Sequence, residues 1–260
     1  MRAATGDIRT GMIGRESEFP LADDGLRGAL RAASSEYTSP ARFIVPEEYL
    51  YLTQVEVPAT EASRSQLVKL VDTVFPETLS ELAWDFEVIA EADGRATIDV
   101  SGVTKDFGGL LKEALASSRV RLEAVIPESY ALARALPTDD AVLFVHERRG
   151  LTIVSIARMR RVVSAIVLDH RPSEAELRDF IEFGKTHKQC TPEKLILSGI
   201  EIRPEEFSSL GLDALPLALP LDPVHGALLL DLSSRRDADR LDLPLRGYRE
   251  PWYRRLFHFF

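Results

Sequence analysis

Residues 140–168 read DAVLFVHERRGLTIVSIARMRRVVSAIVL, and this stretch decides the fold. Three runs, 141–145, 151–157 and 162–168, are dense in Val, Ile and Leu. Branched apolar side chains suit a pleated, half-buried surface. Two short charged segments, 147–150 and 158–161, separate the runs and have the size of hairpin turns. The stretch therefore predicts an antiparallel meander with at least one buried face. Helical patterns lie on both sides of it.

Upstream, 129–136 reads as a short helix and 120–125 (VRLEAV) as a strand. Residues 105–118 form a helical pattern carrying Phe107, Leu110, Leu111 and Leu115. The β-rich runs 83–90 (AWDFEVIA) and 96–103 (ATIDVSGV) flank Asp93-Gly94, a strong hairpin signal. Residues 60–74 open on a Thr60-x-x-Ser63 cap pattern and run Leu67, Leu70, Val71 and Val74, an amphipathic helix that Phe75-Pro76 ends. The alternating run 49–57 (YLYLTQVEV) is a strand ending at Pro58, and 42–45 is a strand stopping at Pro46. Residues 24–35 read as a helix with Leu26, Leu30 and Ala33 at helical spacing. Before it the pattern is weak, and only Ile8, Met12 and Ile13 hint at a short strand or hairpin.

Downstream, Ser173 caps a helix over 174–187, and 194–197 is a strand leading into Ser198-Gly199. Residues 203–209 read as a short helix, 215–221 as an extended segment broken by Pro216 and Pro220, and 225–232 fits helix or strand. Residues 233–260 are charged, then aromatic, and mostly irregular. The order is mixed α and β, with strand–helix–strand units and no internal repeat.

Composition narrows the function classes. The chain has 260 residues, enough for a real core in one large domain or two small ones. Its net charge of -9 argues against a general nucleic-acid binder, which needs a basic face. The single cysteine, Cys190, excludes an internal disulfide and a cysteine-rich zinc site. No apolar run approaches the roughly 20 residues that cross a bilayer. The first twenty residues lack an apolar core and carry acids, so a secretory signal is not expected there.

The order of features over 42–136 carries a resemblance. A strand ends at Val45-Pro46, YLYLTQVEVPA follows at 49–59, and a helix closes on Phe75-Pro76-Glu77. LAWDFEVI at 82–89, a strand and helix over 96–118, and IPESYALARAL at 126–136 complete it. In this order, about a third of the chain resembles the cytoplasmic actin-like proteins of type IV pilus assembly, the PilM family. Its cousin is the cytoplasmic domain of the type II secretion L protein. The resemblance implies an α/β, actin-like fold of the FtsA/PilM type, with two lobes and an inserted small α+β subdomain. Residues 1–48 and 126–139 would belong to the first lobe, 49–125 to the insertion, 140–232 to the second lobe and 233–260 to a tail.

The resemblance also implies a cytoplasmic protein peripheral to the inner membrane. It would bind the cytoplasmic peptide of an inner-membrane pilus or secretion protein, in a groove lined from 42–57 and 83–89. Tyr49, Tyr51, Trp84 and Phe86 are the candidate anchors, since aromatic residues often carry interface energy. Each of the four also suits core packing. Self-association is left open.

Actin-like ATPases hold phosphate on Gly-containing turns, where a Cβ would block the approach. The first turn, Asp-x-Gly near the N-terminus, has no counterpart before Arg42; Thr5-Gly6-Asp7 has the residue types in another order, with no strand expected ahead of it. At the second turn His146 stands in the place of Asp and Arg148 in the place of Gly, while Gly150 comes two residues late. The third element, Leu197-Ser198-Gly199-Ile200, has one glycine. Degenerate turns imply no catalysis and no cofactor. The alternative is an ATPase or sugar-kinase relative that binds ATP through His146, Arg148, Gly150 and Gly199. A further alternative is a stand-alone interaction module. Arg148 and Arg149 could form an anion site, but a solvated hairpin tip is the simpler expectation.

Other chemistry is thin. No two of the five histidines share metal-ligand spacing, and no Gly-x-Ser-x-Gly or Walker-type loop exists. Asp139-Asp140 reads as a strand-entry turn, and Glu47-Glu48 and Glu205-Glu206 as solvated positions. Trp252, Arg254, Arg255 and Phe257 sit in a tail where aromatics adjoin arginines, suited to a membrane interface, a partner groove or folding back onto the domain.

Overall fold

The computed structural model describes residues 2–6, 13–18, 25–37, 41–76, 83–118, 120, 122–148, 150–199, 204–217 and 220–229. Strands β1 (Arg2–Gly6) and β2 (Ile13–Glu18) pair antiparallel. The weak N-terminal signal thus belongs to a hairpin, and a strand does precede Asp7; Ile8 and Met12 lie outside the described residues. Helix α1 (Gly25–Glu36) buries Ala29, Leu30 and Ala33, a stripe at helical spacing. Strand β3 (Ala41–Val45) ends at Pro46, which has no N–H to continue a ladder.

A tight turn, Glu47–Tyr49, then leads into β4 (Leu50–Pro58). Helix α2 (Arg64–Val74) begins at Ser63, later than the Thr60 cap pattern predicts, because Ala59–Glu61 form a separate 3-10 turn. The Ser63 hydroxyl bonds Gln66 Oε1 at 2.6 Å instead of a backbone N–H. Strands β5 (Ala83–Ala92) and β6 (Arg95–Val103) meet at Asp93-Gly94, both with positive φ as a tight hairpin turn requires. The resulting antiparallel sheet has the order β4-β6-β5. One face carries Val55, Val57, Ala96, Ile98, Val100, Trp84 and Val88, which pack against Leu67, Val71 and Phe75.

Helix α3 (Lys105–Ser117) buries Leu111, Ala114 and Leu115 and lies against α1. Strand β7 (Leu122–Pro127) runs parallel to β3, with Val45 opposite Pro127. Helix α4 (Glu128–Arg134) follows at once, and its Ala131, Leu132 and Ala133 are fully buried.

The meander forms as its sequence predicts. Strands β8 (Val142–Arg148), β9 (Leu151–Arg158) and β10 (Arg161–Leu168) pair antiparallel in order. Helix α5 (Glu174–Lys188) starts with a capping box between Ser173 and Glu176 and buries Leu177, Phe180 and Gly184. Strand β11 (Lys194–Ser198) joins β8 in parallel, and the short β12 (Asp213–Ala214) joins β11, giving the order β10-β9-β8-β11-β12. Residues 204–210 form a 3-10 segment bent at Phe207.

The segment left open between helix and strand is helical: α6 (Pro223–Leu229) packs on α4 and β3. A Cβ at Gly226 would lie 1.7 Å from the Ala131 carbonyl oxygen, so glycine is what lets the two helices meet. Arg42 of β3 donates to the carbonyls of Ala227 at 2.5 Å and Leu228 at 3.2 Å. The last described helix is thereby tied to the β3–β7 pair. Helix α4 sits between the two sheets, because its other side, with Leu132 and Ala133, shares a core with Val142, Phe144, Ile153 and Ala157.

Candidate functional site

The ends of β3, β7, β8 and β11 converge, and the second-turn residues lie there. Strand β8 continues past residue 145 to Arg148, so His146 is a strand residue rather than a turn residue. It is buried, and its Nδ1 lies 3.1 Å from Ser198 Oγ. Ser198 Oγ also accepts the Leu221 N–H at 2.8 Å, so one hydroxyl ties the ring to the segment ahead of α6. Burial, then the neighbouring Arg148 charge, pushes the His146 ring down to about 4. The ring is therefore neutral at physiological pH.

Arg148 does not form a solvated tip. Its Nε and Nη2 each lie 2.8 Å from Glu128 Oε2, and Nη2 donates to Glu48 Oε2 at 2.5 Å. One guanidinium thus joins the end of β8 to the turn after β3 and to the start of α4. Burial works against its charge, but Glu128 and Glu48 more than offset this and raise its pKa. Arg149 lies outside the described residues.

Glu47 is not solvated either, whereas Glu48 next to it is exposed. Glu47 is 5% exposed and accepts hydrogen bonds from the Ser129 hydroxyl and, at 3.4 Å, from the Ser129 N–H. Burial, partly countered by these bonds and reinforced by Glu128, pushes its carboxyl up to about 7. Burial also raises Glu128, against the pull of Arg148. Glu48 and Glu128 share the Arg148 guanidinium, while Glu47 beside them is held by donors of α4.

The two candidate glycines have local reasons. Gly150 holds φ +82 in the β8–β9 turn with open space around its Cβ position. Gly199 holds φ +100, and a Cβ there would sit 2.1 Å from the Glu147 carbonyl oxygen. Its glycine admits the β8 backbone.

The four aromatic candidates divide into two places. Tyr51 and Trp84 stand opposite Gly102 from either side, and a Cβ at 102 would lie 2.9 Å from the Phe75 ring. Phe75 fills that gap, its centroid 5.6 Å from Tyr51. Trp84 is buried and Phe86 is part-buried beside it, with ring centroids 6.2 Å apart. Tyr49 is separate: it is 39% exposed and stacks on Phe107 with centroids 4.4 Å apart and planes at 15°. One turn along α3, Leu110 is 58% exposed rather than part of the core stripe. Sequence reasoning missed this surface. The signal was available, since Leu111, Ala114 and Leu115 already define the buried stripe and leave Leu110 at its edge.

The opposite, polar face of the small sheet meets α5. Lys188 donates to Gln54 Oε1, and Gln54 Nε2 donates to Asp99 Oδ1 at 2.8 Å. Elsewhere, His170 lies between Asp169 and Glu176, 2.9 Å from each. Among the described residues no group of three His, Cys, Asp or Glu could hold a metal ion, and no helix is long and apolar enough to cross a membrane. Trp252, Arg254, Arg255 and Phe257 lie outside the described residues.

No protein-family model and no curated protein matches the sequence. Solved structures do match. A "PilM-PilN type IV pilus biogenesis complex" superposes with a TM-score of 0.57 at 14% identity, covering 80% of this chain and 83% of that one. The cytoplasmic domain of EpsL, an inner membrane component of the type II secretion system of Vibrio cholerae, superposes with a TM-score of 0.50 at 15% identity, covering 84% and 82%. A protein of actin-like ATPase fold and unknown function from Bacteroides thetaiotaomicron gives 0.47 at 11% identity, covering 84% and 86%. The chain has the actin-like fold of the PilM type, as the features of residues 42–136 imply.

Proposed function

We propose that this chain is a non-catalytic actin-like scaffold of a type IV pilus or type II secretion assembly, working at the cytoplasmic face of the inner membrane. The observation that carries the non-catalytic part is the commitment of Arg148. It leaves the turn where phosphate would sit and pairs with Glu48 and Glu128 across the converging strand ends. A polyphosphate would have to break those pairs and then face the released carboxylates, which repel it. The neutral His146 supplies no countercharge.

The partner would be a cytoplasmic peptide of an inner-membrane protein. Two names support this: one structural neighbour is a PilM-PilN complex and the other an inner membrane component. Tyr49 and Leu110 are exposed, Tyr49 stacks on the half-buried Phe107, and these side chains offer the apolar surface that such a peptide needs. Tyr51, Trp84 and Phe86 belong to the separate core of the small sheet.

The test is capture of synthetic peptides taken from the cytoplasmic ends of inner-membrane proteins encoded beside this gene. One peptide should bind, and Tyr49→Ala should weaken it at least tenfold. Binding that is indifferent to Tyr49→Ala and Leu110→Ala would remove this face from the account.

A further inference from the structure

Between the first lobe and the small sheet the chain passes through one short turn, Glu47–Tyr49, and that turn rests on a buried carboxyl. Glu47 reaches the first turn of α4, where the Ser129 hydroxyl and N–H both donate to it. Glu48, its neighbour, shares Arg148 with Glu128. Tyr49 closes the turn: its N–H donates to the Pro46 carbonyl at 3.1 Å, its carbonyl accepts the Thr104 N–H at 2.9 Å, and its ring lies on Phe107.

The charged and titratable groups around Glu47 come from every element that meets here. Glu128 on α4 acts on it directly, Glu48 on the same turn and Arg148 on β8 act on Glu128, and His146 on β8 feels Arg148 and Asp222 ahead of α6. His146 is neutral and Arg148 is engaged by the other two glutamates. Glu47 is the most buried of the three carboxyls, and its partners are donors at the start of α4: the Ser129 hydroxyl and N–H and the Glu128 N–H. An ionised Glu47 would be a second excess negative charge in a dry site beside Glu128.

We propose that the turn Glu47–Tyr49 is a proton-controlled joint: a proton on the Glu47 carboxyl keeps the turn seated on α4, and loss of that proton releases the turn together with Glu48 and its hold on Arg148. Exposing the carboxylate to water relieves both its burial and its repulsion from Glu128. The burial that pushes the Glu47 carboxyl up to about 7 puts this change near neutrality. Release also moves Tyr49 off Phe107, so the apolar face is presented differently on the two sides of the transition. The joint stands on these contacts whether or not a pilus peptide binds there.

Amide hydrogen exchange on the full chain tests it directly. The Ser129 and Thr104 amides report the two bonds that hold the turn, and rates are corrected for the intrinsic effect of pH. Protection at both should fall at least tenfold between pH 5.5 and pH 8.5, with a midpoint near 7, while amides inside β9 stay unchanged. Glu47→Gln, which carries no titrating proton, should keep both amides protected throughout. Protection in the wild type that does not vary with pH, or an equal loss in Glu47→Gln, overturns the proposal. Should Glu47→Gln not fold, Ser129→Ala keeps the carboxyl and removes a donor that favours its ionised form. Its midpoint should move upward, and an unmoved midpoint overturns the proposal.

Discussion

Replacing Arg148 with alanine removes a guanidinium that links β8 to the ends of β3 and β7. The cost follows from how dry each contact is. The side chain of Glu128 is 7% exposed, that of Arg148 22% and that of Glu48 29%. Removing one partner of a buried pair costs about 3–5 kcal/mol, because a charge is left without compensation. A fully exposed pair is worth about 0–1 kcal/mol. The Glu128 contact lies near the first limit and the Glu48 contact between the two, which sets the loss at about 2–4 kcal/mol. Glu128 is already raised by burial, and without Arg148 it gains stability by taking up a proton. Its folded pKa then lies further above the unfolded value, so the loss should be greater at pH 8 than at pH 5. Urea denaturation at both pH values measures this. Glu128→Gln in the same chain should recover at least about 1 kcal/mol, since it removes the stranded charge. An Arg148→Ala protein within about 0.5 kcal/mol of wild type, or a double variant whose loss is the sum of the two single losses, refutes the reasoning.

Three further outcomes follow from the same contacts. The Glu47 carboxyl rises from 4.5 unfolded to about 7 folded, so its contribution to stability is fully present below 4.5 and is lost as pH rises through about 7. Glu47→Gln should therefore compare better with wild type at pH 8 than at pH 5, by about 3 kcal/mol; an equal difference at both pH values in urea denaturation contradicts the assignment. Gly226→Ala drives a methyl against the Ala131 carbonyl and should cost about 3 kcal/mol, whereas Gly150→Ala, with open space and only its φ to contend with, should cost about 1 kcal/mol. Trp84→Ala, buried under α2, should cost about 3–5 kcal/mol, and Tyr49→Ala about 1 kcal/mol; similar losses at the two positions would show that Tyr49 is core.

The elements were legible where the signal is local. Three β-rich runs with short charged separators gave β8, β9 and β10, and Asp93-Gly94 gave the β5–β6 hairpin. The β9–β10 turn is different: Met159 and Arg160 both hold positive φ, which their residue types do not announce. What escaped the sequence depends on distant partners. His146 stays in β8 because Ser198, 52 residues on, receives its ring. Glu47 is buried because Ser129, 82 residues on, supplies its donors. Arg148 is drawn from a hairpin tip by Glu48, 100 residues away. No periodicity encodes such pairings, and a double glutamate before a strand reads as solvated until its neighbour across the fold is known. The glycine at 199 was visible, but its reason, the Glu147 backbone, was not.

The most direct test of the central claim, that Arg148 is committed to Glu48 and Glu128 and the chain holds no nucleotide, is thermal unfolding of the wild-type chain with and without millimolar Mg-ATP. A ligand at about 100 times its Kd adds about 2.7 kcal/mol, which for a chain of this size raises Tm by several degrees. The account predicts the same Tm in both conditions. A rise of several degrees with Mg-ATP would contradict it, since the folded chain would then bind nucleotide.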